Sequence, residues 1–301
     1  MNWRGLFKVL GIPVSLLLLW YMVSRAGIAD LRNTLFLVKP TSLFLLFTLQ
    51  IITIFGSALL WQIPLRRCSK SIAFLRTLRI NLSGSLVETL TPSVKFGGEA
   101  VKLALFKKAC GCSPSRMASL AALHTYLWLM PFMVISSILL LAGALPDAFS
   151  GPWILFISLV LILFPAGWRI LRPQQFSQVR FPMLLPLVLS FLLWLLYPIK
   201  VLIALSSLQI QGISYIQAAG SVFAGYLIGL LPFFPGGLGG FEAAMSYVLI
   251  QHGLSPVEAS AAALVTRLGT FWFPLLLSVP AALTLMKNPR ASLHLYKGVS
   301  P

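Results

Sequence analysis

Long apolar runs separated by short polar segments dominate the chain, and their lengths predict membrane-spanning helices. An α-helix needs about 20 apolar residues to cross the hydrocarbon core of a bilayer. Because no long polar insert separates the runs, the pattern predicts a single all-α polytopic integral membrane domain covering residues 1–301. We predict six full spans, at 9–23, 41–63, 117–144, 152–168, 183–207 and 261–286.

Two further apolar stretches are interrupted by proline and glycine. The first, 72–110, is broken at Pro92 and Gly97-Gly98, and the second, 218–251, is broken between Pro232 and Gly240. Irregular backbone at membrane depth is tolerated only where protein or a water-filled cavity surrounds it. We therefore predict two re-entrant helical hairpins. The alternative is that these small residues only allow tight helix packing.

The two broken stretches share an ordered set of residues. In each, a glutamate follows a proline by seven positions and lies just beyond a Gly-Gly pair, which gives Glu99 and Glu242. A cationic or titratable side chain lies 25 positions after each glutamate, at His124 and Arg267. A Gly-x-Ser-Pro segment precedes each of these last two residues. Interrupted segments at matching positions in two halves point to the binding site of a transporter.

The charge pattern gives the orientation of these elements. The chain is 58% hydrophobic and only 10% charged, which excludes an ordinary soluble enzyme. Its net charge of +17 comes from basic clusters between the apolar runs, a pattern that indicates orientation in a membrane rather than nucleic-acid binding. We predict a protein of the cytoplasmic (inner) membrane with both termini in the cytoplasm. The units 41–144 and 183–286 then form an inverted repeat, and the segment 25–39 is the one basic loop left outside.

Carboxylates within the bilayer are costly and are usually paired or functional. Glu99 and Glu242 are therefore the strongest candidates for functional residues. One possibility is that they form ion pairs, Glu242 with Arg267 and Glu99 with Lys95 or Lys102. The other is that they accept a cationic headgroup. Helices that restart after each break expose N–H groups suited to a phosphate. The candidate substrate-binding residues are Lys95, Gly97, Gly98, Glu99, His124, Gly236, Gly237, Gly239, Gly240, Glu242 and Arg267.

Several catalytic signatures do not occur in the sequence. There is no Gly-x4-Gly-Lys-Ser/Thr phosphate loop, no His-Glu-x-x-His and no Gly-x-Ser-x-Gly elbow. We accordingly expect no cofactor, no metal and no enzymatic activity.

The quoted segments resemble a known family. Residues 91–102 and 234–242, together with Arg267, are similar to the lysylphosphatidylglycerol synthase transmembrane-region family, the flippase-like half of the bacterial multiple peptide resistance factor and its stand-alone relatives. The resemblance implies a multi-pass protein that moves lipids or lipid-linked groups between leaflets. The soluble aminoacyl-transfer domain is missing, so lysyl transfer is not implied. His124 stands where many relatives have arginine.

These observations lead us to expect a lipid flippase that works by alternating access on a membrane phospholipid or lipid-linked substrate. Two alternatives from other classes stay open. One is a membrane-embedded enzyme that modifies lipid-linked substrates, and the other is a non-transporting partner of a separately encoded lipid-modifying enzyme or glycosyltransferase.

Overall fold

The computed structural model describes residues 3–66, 72–90, 96–146, 158–159, 184–231 and 234–287, and these residues are almost entirely helical. No strand occurs in this part of the chain, which confirms the all-α prediction. The helices of the first half are α1 (Trp3–Ala26), α2 (Ile28–Phe36), α3 (Pro40–Leu65), α4 (Phe74–Leu90), α5 (Phe96–Cys110) and α6 (Pro114–Leu141). Those of the second half are α7 (Leu184–Ser207), α8 (Tyr215–Gly229), α9 (Gly240–Gln251), α10 (Pro256–Arg267) and α11 (Phe273–Lys287).

Four helical segments are long and apolar enough to cross a membrane: Pro40–Leu65, Pro114–Leu141, Leu184–Ser207 and Pro256–Leu285. They coincide with the spans predicted at 41–63, 117–144, 183–207 and 261–286. The last segment consists of α10, a π-helical turn at Leu268–Trp272, and α11. The span predicted at 152–168 lies outside the described residues, apart from 158–159.

The N-terminal region differs from the prediction. Much of the predicted loop at 25–39 is the helix α2, which meets α1 at an angle of 82°. Gly27 makes the bend with φ +79°, a left-handed value that glycine adopts without steric cost. The apolar side chain of Leu31 is buried, and α2 packs against α10. With α1, this bent pair is a fifth candidate span.

Each interrupted stretch forms two closely packed antiparallel helices. In the first, a Cβ at Gly98 of α5 would lie 2.5 Å from the carbonyl oxygen of Gly84 in α4. In the second, a Cβ at Gly225 of α8 would lie 2.8 Å from the ring of Phe241 in α9. Glycine allows both close approaches because it has no side chain. We call these pairs the first hairpin (α4 and α5) and the second hairpin (α8 and α9).

The turns that follow the two hairpins have the same local structure. Gly111 and Gly253 adopt positive φ, +64° and +96°, just after α5 and α9. Ser113 and Ser255 then cap α6 and α10 by accepting hydrogen bonds from the third residue of each helix, and a proline follows each serine at the first helical position. Serine as the cap and proline in the first turn are both favoured at helix N-termini. The repeated sequence motif therefore corresponds to a repeated structure.

Long helices from both halves hold the hairpins together. Helix α3 packs along α7, α4 packs against α11, and α6 and α8 both contact α7. A cluster of aromatic rings around Trp194 joins α6, α7 and α8, with Phe132 at 4.7 Å and Tyr226 at 5.4 Å between ring centroids. This packing brings the turn at Pro235–Gly237 in the second hairpin against α4 of the first.

Candidate functional site

The interruption of the second hairpin is a glycine-dependent turn. Gly236, Gly237 and Gly239 adopt φ values of +59°, +73° and +77°, which side-chain-bearing residues rarely adopt. A Cβ at Gly239 would lie 2.4 Å from the backbone oxygen of Ser15 in α1, and one at Gly240 would lie 2.6 Å from the ring of Phe234. The sequence folds in this way because no other residue fits these dihedral angles and contacts.

Glu242 and Arg267 form a buried ion pair behind this turn. The Nε of Arg267 donates to Glu242 Oε1 at 2.7 Å, and only 6% and 3% of the two side chains are exposed. Arg267 Nη2 donates to the carbonyl oxygen of Gly236 at 2.8 Å. The guanidinium also lies between two rings, 4.7 Å from the centroid of Phe241 and 4.2 Å from that of Phe271. Arg267 therefore fixes the turn to the end of α10.

The second oxygen of Glu242 is also occupied. Oε2 accepts a 2.7 Å hydrogen bond from the backbone N–H of Gly239, so the carboxylate caps the helix that it belongs to. Of the two alternatives that the sequence left open for Glu242, this geometry favours the structural ion pair. At the start of this helix, one backbone N–H, that of Gly239, is therefore already bonded to the protein's own carboxylate.

The first hairpin carries a second charged cluster. Lys102 Nζ donates to Glu99 Oε1 at 2.8 Å and lies 3.6 Å from Glu88 Oε2. The lysine side chain is only 6% exposed, whereas the Glu99 and Glu88 side chains are 19% and 25% exposed. The buried cation of Lys102 thus lies beside two partly accessible carboxylates.

His124 lies at the far edge of this cluster. Its Nδ1 is 3.7 Å from Glu99 Oε2, and its ring stacks on Trp61 with centroids 4.1 Å apart. Both residue pairs that the 25-residue spacing singled out, Glu99 with His124 and Glu242 with Arg267, are therefore neighbours in space. The distance between the charged groups is shorter in the arginine pair, 2.7 Å against 3.7 Å in the histidine pair. The guanidinium reaches its carboxylate directly, whereas the imidazole stacks on Trp61.

The turn of the second hairpin contacts the end of α4 in the first. A Cβ at Gly236 in the second hairpin would lie 3.2 Å from the carbonyl oxygen of Thr89 in the first. Beside this contact is a cavity of about 340 Å³ whose wall contains residues of both hairpins. Its lining includes the charged or titratable residues Glu88, Glu99, Lys102, His124, Tyr197, Tyr226 and Arg267, together with Gly236 and Gly237.

The other residues predicted for the site do not line the cavity or lie outside the described residues. Gly97 and Gly98 lie in the first turn of α5, where Gly98 contacts α4. Gly239 and Gly240 shape the second turn, as described above. Lys95 lies outside the described residues, and so does the predicted break at Pro92.

Two charged residues of this region were missed or excluded at the level of sequence. Glu88 is not among the residues predicted from the sequence, but its side chain lines the cavity. Lys200 was not considered, although it lies in the middle of α7 and is completely buried. The signal was available in both cases, because an ionisable residue inside an apolar run is a functional candidate by default.

The fold and the cavity define the class of this protein: a multi-pass helical membrane protein with ionisable side chains in its interior. The family described as the lysylphosphatidylglycerol synthase TM region matches residues 8–278, and the chain belongs to this family. It is 24% identical to a UPF0104 membrane protein of Methanothermobacter thermautotrophicus, in an alignment covering 87% of this chain and 90% of the relative. It is 23% identical to a UPF0104 membrane protein of Pyrococcus horikoshii, covering 91% and 95%.

Proposed function

We propose that this protein moves a phospholipid or a lipid-linked group between the two leaflets of the membrane, with the polar headgroup in the cavity between the hairpins. The observation that carries the proposal is this cavity, whose wall combines accessible carboxylates of the first hairpin with the guanidinium held behind the second. Its volume of about 340 Å³ is at the lower end of the range for small-molecule sites, roughly 300–1,000 Å³. It suits a headgroup, and the acyl chains would stay in the bilayer.

The charges of the cavity are complementary to a headgroup that carries an amino group and a phosphate. Glu88 and Glu99 line the cavity beside Lys102 as partly accessible carboxylates, and carboxylate oxygens attract an ammonium group and accept its hydrogen bonds. In the described part of the chain, Arg267 uses Nε and Nη2 for hydrogen bonds, and Nη1 is left for a phosphate oxygen. Glu242 then acts by positioning Arg267 and not by contacting the substrate.

The hairpins would enter the membrane without crossing it. Helix α5 has 15 residues and α9 has 12, which correspond to lengths of about 22 Å and 18 Å at 1.5 Å per residue. Both are shorter than the hydrocarbon core, which is about 30 Å thick. These lengths support two re-entrant hairpins. The full topology that we propose adds six spans, including 152–168, with both termini in the cytoplasm of a cell with an inner membrane.

The proposed mechanism is alternating access by an inverted repeat of residues 41–144 and 183–286. The matching Gly-x-Ser-Pro turns and the matching Glu pairs at 25-residue spacing support this repeat. Rocking of one unit against the other would open the cavity first to one leaflet and then to the other. The contact between Gly236 and Thr89 lies where the two units would separate.

The test is lipid movement by the purified protein in vesicles of phosphatidylethanolamine and phosphatidylglycerol. A trace of acyl-chain-labelled phosphatidylethanolamine reports the movement, because dithionite bleaches only the label in the outer leaflet. We expect the protein to expose inner-leaflet label and Glu88→Gln to slow this exposure by about tenfold, the equivalent of one charge-assisted hydrogen bond. Lys102 keeps its 2.8 Å partner Glu99 in this variant, so folding should be preserved.

Glu258→Gln is the matched control. Glu258 is partly exposed at the start of α10, outside the cavity, and glutamine can complete the same capping box. We expect this variant to move lipid at the wild-type rate. Equal rates for wild type, Glu88→Gln and protein-free vesicles would refute the proposal, as would an equal loss in Glu88→Gln and Glu258→Gln.

A further inference from the structure

Lys200 has an unusual environment for a charged side chain. It lies in the middle of α7 with none of its surface exposed. Its Nζ is 2.7 Å from Gln50 Oε1 and 2.7 Å from Thr53 Oγ1, and it lies 4.2 Å from the centroid of the Tyr197 ring. All the groups that surround this nitrogen are therefore neutral.

The other buried charges of the cavity region differ from Lys200 in this respect. Lys102 lies between Glu99 and Glu88, and Arg267 is paired with Glu242. Among the described residues, no carboxylate lies within ion-pair distance of Lys200. A cation in an apolar span without a counter-charge is costly, and such residues commonly mark ion or proton pathways.

Within the described part of the chain, four helices pack against α7, namely α3, α6, α8 and α10. The first of these, α3, contains no ionisable side chain. The ionisable side chains of the other three are those of Arg116, His124 and Tyr126 in α6, Tyr215 and Tyr226 in α8, and Glu258 and Arg267 in α10. Tyr197 is the nearest on α7 itself, and its ring meets that of Tyr226 edge-on with centroids 5.0 Å apart.

The groups that surround Lys200 connect it to the cavity. Gln50, Thr53 and Tyr197 all line the same cavity as Glu88 and Glu99. Only one layer of side chains therefore separates the lysine nitrogen from the space in which we place the headgroup.

The partners of Lys200 can satisfy both of its protonation states. The ammonium donates to the amide oxygen of Gln50 and to the hydroxyl oxygen of Thr53. After loss of the proton, the amine nitrogen can accept a hydrogen bond from the amide NH2 of a turned Gln50, while the hydroxyl of Thr53 keeps its 2.9 Å hydrogen bond to the carbonyl oxygen of Leu49. In general, burial favours a neutral lysine, whereas polar contacts favour a charged one. Neither state leaves the nitrogen without a partner.

We propose that Lys200 is the proton-binding site of this cavity and that its proton is exchanged for a positively charged headgroup. The entering ammonium group brings a positive charge near Lys200, and one N–H bond of the lysine breaks as its proton leaves to water in the cavity. The proton returns when the headgroup leaves. This inference rests on the proposed lipid movement, and it makes that movement sensitive to a proton gradient.

The direct test is independent of transport. Lysine labelled with 15N on Nζ is incorporated into the full-length protein, and the Lys200 signal is assigned by its loss in Lys200→Gln. We expect this signal to change from ammonium to amine between mildly acidic and mildly alkaline pH, while exposed lysines stay charged. A Lys200 signal that stays that of an ammonium, or that of an amine, over this whole pH range would overturn the inference.

The second test uses the vesicles with labelled phosphatidylethanolamine. Reversing a pH gradient should change the rate of lipid exposure several-fold in the wild type and leave the rate unchanged in Lys200→Gln and in the permanently charged Lys200→Arg. The same gradient response in wild type and Lys200→Gln would overturn the inference and leave lipid movement standing. A wild-type protein that moves no lipid would refute the proposed function, and the NMR titration would still decide the protonation of Lys200.

Discussion

Replacing Arg267 by methionine tests whether the buried ion pair holds the second hairpin in place. The substitution removes the 2.7 Å contact with Glu242, the 2.8 Å hydrogen bond to Gly236 and the contacts with two aromatic rings. Removal of one partner from a buried pair costs about 3–5 kcal/mol, because the other charge is left without compensation. The bond from Gly239 to Glu242 survives and offsets part of this cost. We therefore expect Arg267→Met to lower the free energy of unfolding by about 4 kcal/mol.

A double-mutant cycle separates the pair from the packing of the arginine. The double variant Arg267→Met/Glu242→Gln no longer contains an uncompensated buried charge. We therefore expect its loss of unfolding free energy to be smaller, by at least about 2 kcal/mol, than the summed losses of the two single variants. Thermal unfolding in detergent, followed by tryptophan fluorescence, is the assay. At roughly 2–4 °C per kcal/mol, Arg267→Met should lower the midpoint by about 10 °C.

The matched control for Arg267→Met is Arg25→Met. Arg25 is exposed and also lies near an aromatic ring, with its guanidinium 5.5 Å from the centroid of Tyr21. We expect its midpoint to equal that of the wild type. A midpoint for Arg267→Met that equals the wild type, or single losses that simply add in the double variant, would refute the structural role of the pair.

Three further changes test the packing around the site by the same thermal assay. Gly98→Ala should destabilise the protein by about 2 kcal/mol, because the new Cβ would lie 2.5 Å from a backbone oxygen of α4; wild-type stability would contradict the described contact of the first hairpin. Lys102→Met should lower the free energy of unfolding by about 3–5 kcal/mol, because Glu88 and Glu99 lose the cation beside them. Adding Glu99→Gln should recover part of this loss, and no recovery would show that charge is not the cause. Ser255→Ala should cost about 1 kcal/mol through loss of the α10 cap, and a loss several times larger would indicate a role beyond capping.

The spacing of the two glutamates could be interpreted from sequence because short antiparallel helices bring distant positions together. Helices α9 and α10 have 12 residues each and are joined by a tight turn at Gly253. The first turn of one therefore lies beside the last turn of the other, which places Glu242 next to Arg267. The same argument applies to Glu99 and His124 across the turn at Gly111.

The surroundings of Lys200 could not be predicted in the same way. Lys200 contacts Gln50 and Thr53, which are about 150 positions earlier in the chain, and only the packing of α3 on α7 creates this contact. The bend between α1 and α2 was missed for another reason. A single glycine, Gly27, redirects the helix, and the basic residues around it follow the pattern of a loop. Both features depend on tertiary packing more than on local sequence.

The central claim of this account is that the two hairpins meet within the bilayer around a cavity that holds a lipid headgroup. The most direct measurement is a cryo-EM structure of the full-length protein in nanodiscs of phosphatidylethanolamine and phosphatidylglycerol. We predict headgroup density between Glu99 and Arg267, at the depth of the hydrocarbon core. Lipid density confined to the outer surface, with Gly236 and Thr89 separated or at the level of bulk water, would contradict the claim.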